Sequence, residues 1–185
     1  VLIAGGESNG NSVGPKGDWA PLASAEVFDV REETFEPTKN LMSSARLFHQ
    51  ATVIDENAVL LSGGISGVAK GNANADIFVT NTLKFEPVQP MRHERSMHTA
   101  TRLSNGNVLL CGGVEKREGT ASCEVFVAKK AFFQSAQSLA VPRWGHAALE
   151  LPSGGFLFSG GMSQVSFPLS QQGWGPSKLA EIYRP

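Results

Sequence analysis

Thr99-Ala100-Thr101-Arg102-Leu103-Ser104-Asn105-Gly106-Asn107-Val108-Leu109-Leu110-Cys111-Gly112-Gly113 reads as two short strands joined by a tight turn and ended by a glycine pair. Asn-Gly tolerates positive φ at both central positions, as a type I′ hairpin requires. A glycine pair at a strand end permits a sharp exit that Cβ atoms would block. Upstream, the first strand is expected to carry Arg95-Ser96-Met97-His98. Downstream come Glu124-Val125-Phe126 and then Phe133.

These words recur along the chain. Glycine pairs follow apolar runs at Gly5-Gly6, Gly63-Gly64, Gly112-Gly113 and Gly160-Gly161, in steps of 58, 49 and 48 residues. Arg-x-x-His recurs at Arg46/His49, Arg95/His98 and Arg143/His146, each histidine 14 residues before its glycine pair. An acid, an aliphatic and an aromatic recur at Glu26-Val27-Phe28, Asp76-Ile77-Phe78, Glu124-Val125-Phe126 and Glu181-Ile182-Tyr183; Phe35, Phe85 and Phe133 follow the first three. Features that keep step in this way are the mark of a repeat architecture. Each repeat reads as four strands: a from Arg-x-x-His, b into Gly-Gly, c at the acid, d at the second aromatic. The predicted run is bcd, abcd, abcd, abc, about fourteen strands. It forms a single domain over residues 1–185, with repeats near 1–38, 39–88, 89–136 and 137–185. No segment shows a helical apolar period, so the chain reads as nearly all β. Poor alternation in strands a and b fits sheets covered on both faces.

A repeat near 50 residues with Gly-Gly after strand b and aromatics in c and d resembles the kelch motif. Glu26-Val27-Phe28-Asp29 is similar to the version in the central domain of galactose oxidase and in many bacterial kelch proteins. The resemblance spans essentially the whole chain and departs from many kelch repeats in using Phe rather than Trp in strand d. It implies a kelch-type β-propeller of which about three and a half to four four-stranded blades are present, in a ring of about six or seven. Another chain or a further segment would close that ring; a closed four-bladed ring is the alternative. The copper–radical chemistry of galactose oxidase uses two tyrosines, one cross-linked to cysteine, and two histidines; Tyr183 is the one tyrosine here and holds the repeated aromatic position.

Composition narrows the function. A net charge of −1 with mixed signs argues against nucleic acid as a partner. No apolar run approaches the roughly 18 residues of a membrane helix, so no membrane insertion is expected. Tight a–b and c–d turns leave the long b–c connections, residues 7–24, 65–73, 114–122 and 162–178, together with the d–a connections, as the binding face. Candidate contacts there are Trp19, Trp174, Phe167, Lys16, Arg92, His93, Lys116 and Arg117. Trp19 and Trp174 occupy matching places, 13 residues after a glycine pair and seven before a strand-c acid, and read either as exposed anchors or as plugs for their loops.

The remaining chemistry has bland readings beside it. Equivalent histidines make the same structural hydrogen bond in each repeat or ring an axis and hold a metal; the first is preferred, and no metal or cofactor is expected. The repeated arginines pair with strand-c or strand-d acids or line a pocket. Cys111 and Cys123 replace Ala or Ser of other repeats and read as buried small thiols, with a cross-strand disulfide as the alternative. The function expected is a non-catalytic module binding a protein or peptide, with a glycan second. The alternatives are part of a carbohydrate-active enzyme with catalytic residues elsewhere, or an architectural subunit. Localisation leans slightly to secreted or cell-surface.

Overall fold

The structure, a computed structural model, describes residues 1–8, 20–67, 70–152, 154–166 and 172–184. The described residues are all β, with one 3-10 turn at Ala128–Lys130 and no α-helix. The first repeat holds β1 (Leu2–Ala4), β2 (Glu7–Ser8), β3 (Ala20–Pro21), β4 (Ala25–Asp29) and β5 (Thr34–Pro37). The second holds β6 (Gln50–Asp55), β7 (Ala58–Ser62), β8 (Ile65–Gly67), β9 (Lys70–Gly71), β10 (Ala75–Val79) and β11 (Lys84–Pro87). The third holds β12 (Thr99–Arg102), β13 (Val108–Cys111), β14 (Val114–Glu115), β15 (Glu118–Gly119), β16 (Cys123–Val127) and β17 (Phe132–Ala136). The fourth holds β18 (Arg143–Trp144), β19 (Ala147–Glu150), β20 (Phe156–Ser159), β21 (Met162–Ser166), β22 (Gln172–Pro176) and β23 (Ala180–Tyr183).

Four antiparallel sheets carry the repeat: β1-β4-β5, β6-β7-β10-β11, β12-β13-β16-β17 and β19-β20-β23. Three apolar cores lie between successive sheets. Ala25, Leu61, Phe78 and Phe85 join the first to the second. Leu60, Val108, Leu110, Phe126 and Phe133 join the second to the third. Leu109, Cys111, Phe156, Phe158 and Tyr183 join the third to the fourth. The seven-residue spacing of the aromatics is a register effect: Phe28, Phe78 and Phe126 face Phe35, Phe85 and Phe133 directly across the c–d ladder. Their ring centroids lie 4.8, 5.1 and 4.9 Å apart, within the range of favourable tilted pairs.

The glycine pairs join sheet to sheet. The Gly6, Gly64 and Gly113 amides donate to the Arg46, Arg95 and Arg143 carbonyls of the next repeat at 2.9, 2.8 and 2.8 Å. A Cβ at Gly5 or Gly112 would stand 2.5 Å from that carbonyl oxygen, and one at Gly63 closer still, so only glycine fits. At Gly160 the corresponding slot is open among the described residues, the nearest atom being the Ser177 carbonyl oxygen at 4.0 Å.

Four expectations need correction. Arg-x-x-His does not run as strand a, which starts after it. Phe48, Met97 and Gly145, the residues before each histidine, are left-handed, with φ of 56°, 53° and 60°. The kink lets the arginine carbonyl face the previous sheet while its side chain enters its own. The Asn105-Gly106 turn is not type I′: only Gly106 has positive φ, and the Gly106 amide bonds to the Leu103 carbonyl. That is a three-residue loop closed by a left-handed glycine. The b–c connections are not plain loops but hairpins: β2-β3, β8-β9, β14-β15 and the three-stranded β18-β21-β22. Finally, Cys111 and Cys123 are directly opposed in β13 and β16 and form a disulfide rather than two thiols. Their small neighbours in other repeats hid this, because a half-cystine in a tight ladder fills the same space.

Candidate functional site

Three of the four strand-c acids, Asp76, Glu124 and Glu181, organise the connection leading into their own strand a. The Asp76 carboxylate accepts the Ser43 amide and hydroxyl and the Arg46 guanidinium. Glu124 accepts the Arg92 and His93 amides, at 2.9 and 3.3 Å, and Arg95 Nη2 at 2.9 Å. Glu181 accepts the Ala140 amide at 2.7 Å and lies 3.2 Å from Arg143 Nη2, without hydrogen-bond alignment. Arg46, Arg95, Arg143, Asp76 and Glu124 are wholly buried. The guanidiniums also donate to backbone carbonyls, those of Gly112 and Ser122 for Arg95 and of Gly160 and Leu179 for Arg143. Buried charge is best satisfied at Arg46–Asp76, where each guanidinium nitrogen and both carboxylate oxygens are hydrogen-bonded, whereas Arg95 Nε, Arg143 Nε and Nη2 and Glu181 Oε1 are left without a partner among the described residues.

The histidines are equally internal. His98 Nε2 lies 3.0 Å from Ser62 Oγ, and His146 Nε2 3.0 Å from Thr99 Oγ1, so each ring reaches the preceding sheet. Burial, then the neighbouring arginine, lowers His49 and His146 to about 4. Burial pushes His98 well below its usual value, helped by Arg95, His146 and His49. All three are neutral at pH 7. His98 and His146 border an open groove of about 520 Å³ along β6, β12 and β19, with Phe48 and Met97 at its margin.

The hairpin face gathers the exposed candidates. β14 and β15 are joined by Lys116 and Arg117, both left-handed at φ 48° and 72°. A two-residue turn of this kind suits Asn and Gly; side chains here cost about 1–2 kcal/mol each. The Lys116 amide is held by Glu94 Oε1 at 3.1 Å, and His93 Nδ1 lies 3.0 Å from Glu115 Oε1 at the hairpin base. Lys116 and Arg117 stay exposed and, with Ile65, Gly71, Ser96 and Val114, line a pocket of about 220 Å³ between this hairpin and β8-β9. Thus His93, Lys116 and Arg117 meet in one place, with Arg92 exposed on the adjoining segment.

Trp174 stands apart from that group. It is half-buried, its ring 4.4 Å from Trp144 at 60°, and it lies over Gly119, where a Cβ would collide with the indole. Its contacts are those of a plug holding β21-β22 against the neighbouring hairpin. Trp144, which sequence reading passed over, is its partner; the signal was its place inside Arg143-x-x-His146. Trp19, Lys16 and Phe167 lie outside the described residues. Among the described residues no three His, Cys, Asp or Glu side chains are grouped to hold a metal.

No family model matches the chain. A curated relative, tRNA wybutosine-synthesizing protein 4 of Saccharomyces cerevisiae, is 32% identical over 83 residues, which is 44% of this chain and 12% of that protein. Among solved structures, a fungal alcohol oxidase of the AA5 family in complex with copper superposes with a TM-score of 0.73 at 15% identity, over 89% of this chain and 37% of that one. The chain therefore spans about an eighth of the yeast protein and little more than a third of the oxidase. What it shares with the oxidase is an all-β fold.

Proposed function

We propose that the chain is a run of kelch-type blades of a β-propeller whose hairpin face binds a protein or peptide. The propeller reading is supported by the four in-step sequence features, by sheets wired a-b-c-d, and by the Arg carbonyl to Gly-Gly bond at each sheet junction. The binding reading rests on one observation: two cationic side chains held at left-handed φ beside a small, partly apolar pocket. Backbone strain at an exposed tip is a reason to look for function there. Rigid repeats with elaborated connections on one side are the usual platform for recognition.

The test replaces Lys116-Arg117 with Asn-Gly, which keeps the turn and removes both cations. Peptides selected on the unmodified domain should lose affinity for this variant by about tenfold or more, while the domain gains about 1–2 kcal/mol of stability from the relieved turn. Selected peptides that bind both proteins equally would sink the reading.

A second reading, part of an alcohol- or carbohydrate-oxidising enzyme, is favoured by the likeness to the copper-bound oxidase. Here the chain would contribute scaffold around a centre formed with other residues of a longer protein. Alcohol oxidation by that longer protein with Cu(II), reduced by substitutions along the groove at Phe48 and Met97, would support it.

A further inference from the structure

Two neighbouring junctions on the hairpin face are built alike and filled differently. Gly71 pairs with Ile65 in β8-β9 as Gly119 pairs with Val114 in β14-β15. Ser96 follows Arg95 as Trp144 follows Arg143. Ser96 bridges to Val114, and Trp144 pairs with Met162 in the same way. Over Gly119 lie the Trp174 and Trp144 rings, their centroids 4.4 Å apart, so that junction is packed with indole. Over Gly71 the nearest group is the Glu94 carboxyl. Serine takes the place of one tryptophan there. The β14-β15 strands, two residues each against five in β21 and β22, are too short to reach across with another. What is left between the hairpins is the pocket of about 220 Å³ lined by Ile65, Gly71, Ser96, Val114, Lys116 and Arg117. It is smaller than the usual small-molecule site and suits one large side chain.

Charge is sorted across the same hairpin. Glu115 and Glu118 face each other in the ladder, on the side opposite Val114, and line a separate pocket. Lys116 and Arg117 stand exposed at the mouth of the Ser96 pocket. Glu94 is the acid on this side, and its Oε1 is engaged by the Lys116 amide at 3.1 Å.

We infer that this pocket takes the C-terminal aromatic residue of a peptide. The ring fills the space that indole fills at the next junction, and the α-carboxylate pairs with Lys116 and Arg117. The inference rests on the peptide-binding reading above and names its ligand. A cavity for one apolar side chain, with two cations on one lip, calls for an apolar group and an anion close together. A chain terminus supplies both in a single residue, and the cations also favour the face of the ring.

The experiment uses hexapeptides immobilised by their N-termini, with five randomised positions and Trp, Phe or Ser last, as free acids and as amides. Each pool is probed with the labelled 185-residue chain. The Trp and Phe acids should retain at least about tenfold more protein than the Ser acids or than their own amides. Ser96→Trp, which places the next repeat's residue in the cavity, should abolish that preference, and so should Lys116→Asn combined with Arg117→Gly. The second variant keeps the turn, so the test stands even if circular dichroism shows Ser96→Trp to be misfolded. Retention of acids and amides alike, lost in the Lys116→Asn, Arg117→Gly protein, would overturn the C-terminal assignment and leave the peptide-binding reading in place. Retention of no aromatic pool, or retention unchanged in the variants, overturns the inference.

Discussion

The first and third sheets are written in nearly the same words and live in different surroundings. Glu26-Val27-Phe28 and Glu124-Val125-Phe126 match, yet Glu124 is fully buried and Glu26 is exposed. Phe133 is 8% exposed and Phe35 56%, although each faces an equivalent phenylalanine across the ladder, at 4.9 and 4.8 Å. What differs is the neighbour. A sheet in the middle of the run is covered on both sides, and a repeat unit cannot bury its own faces alone. Residue identity therefore sets what a position can do, and the adjoining sheet sets how much it contributes.

The sharpest way to break this comparison is charge removal. Arg95→Met should cost about 3–5 kcal/mol, because Glu124 is left buried and unpaired. Glu26→Gln should change stability by less than about 0.5 kcal/mol. Urea unfolding of the two variants reads both, and similar losses would refute the neighbour account.

An apolar pair gives a smaller contrast. Leu110→Ala should cost about 2–5 kcal/mol from a fully packed site, and Ile3→Ala well under about 1.5 kcal/mol. Midpoints that shift alike would mean that the open face of the first sheet is covered in solution.

The histidines sharpen the comparison through pH. The folded values of His49 and His146 lie near 4, below the unfolded value of about 6.5. Between those values the unfolded chain binds the extra protons, so stability falls as pH drops from about 6.5 toward 4 and is level above about 7. His98 acts in the same direction, with Arg95 of its own repeat and His146 and His49 of the adjoining repeats near it. His146→Gln should flatten part of the slope, read from urea midpoints across that range. An unchanged slope would refute its part.

The fourteen repeat strands were legible in the sequence because period, glycine pairs and paired aromatics report directly on backbone geometry and register. The Arg–acid pairing was legible for the same reason, since both partners recur in step. The hairpins within the b–c connections were not: strands of two or three residues such as Val114–Glu115 and Glu118–Gly119 leave no alternation to detect. The left-handed residue before each histidine was hidden because Phe48, Met97 and Gly145 have little in common as side chains. The disulfide was masked by Ala and Ser at equivalent positions. The meeting of His93, Lys116 and Arg117 depends on a hairpin that folds back over residues more than 20 positions earlier, which no local pattern encodes.

The Cys111–Cys123 bridge encloses the hairpin that ends in Lys116 and Arg117. Its strands are already locked side by side by ladder and sulfur, so the tip carries no mechanical continuity of its own. A chain severed between those two residues would stay one covalent object until reduced. That tip is the place where the backbone can be cut without asking the sheets to move.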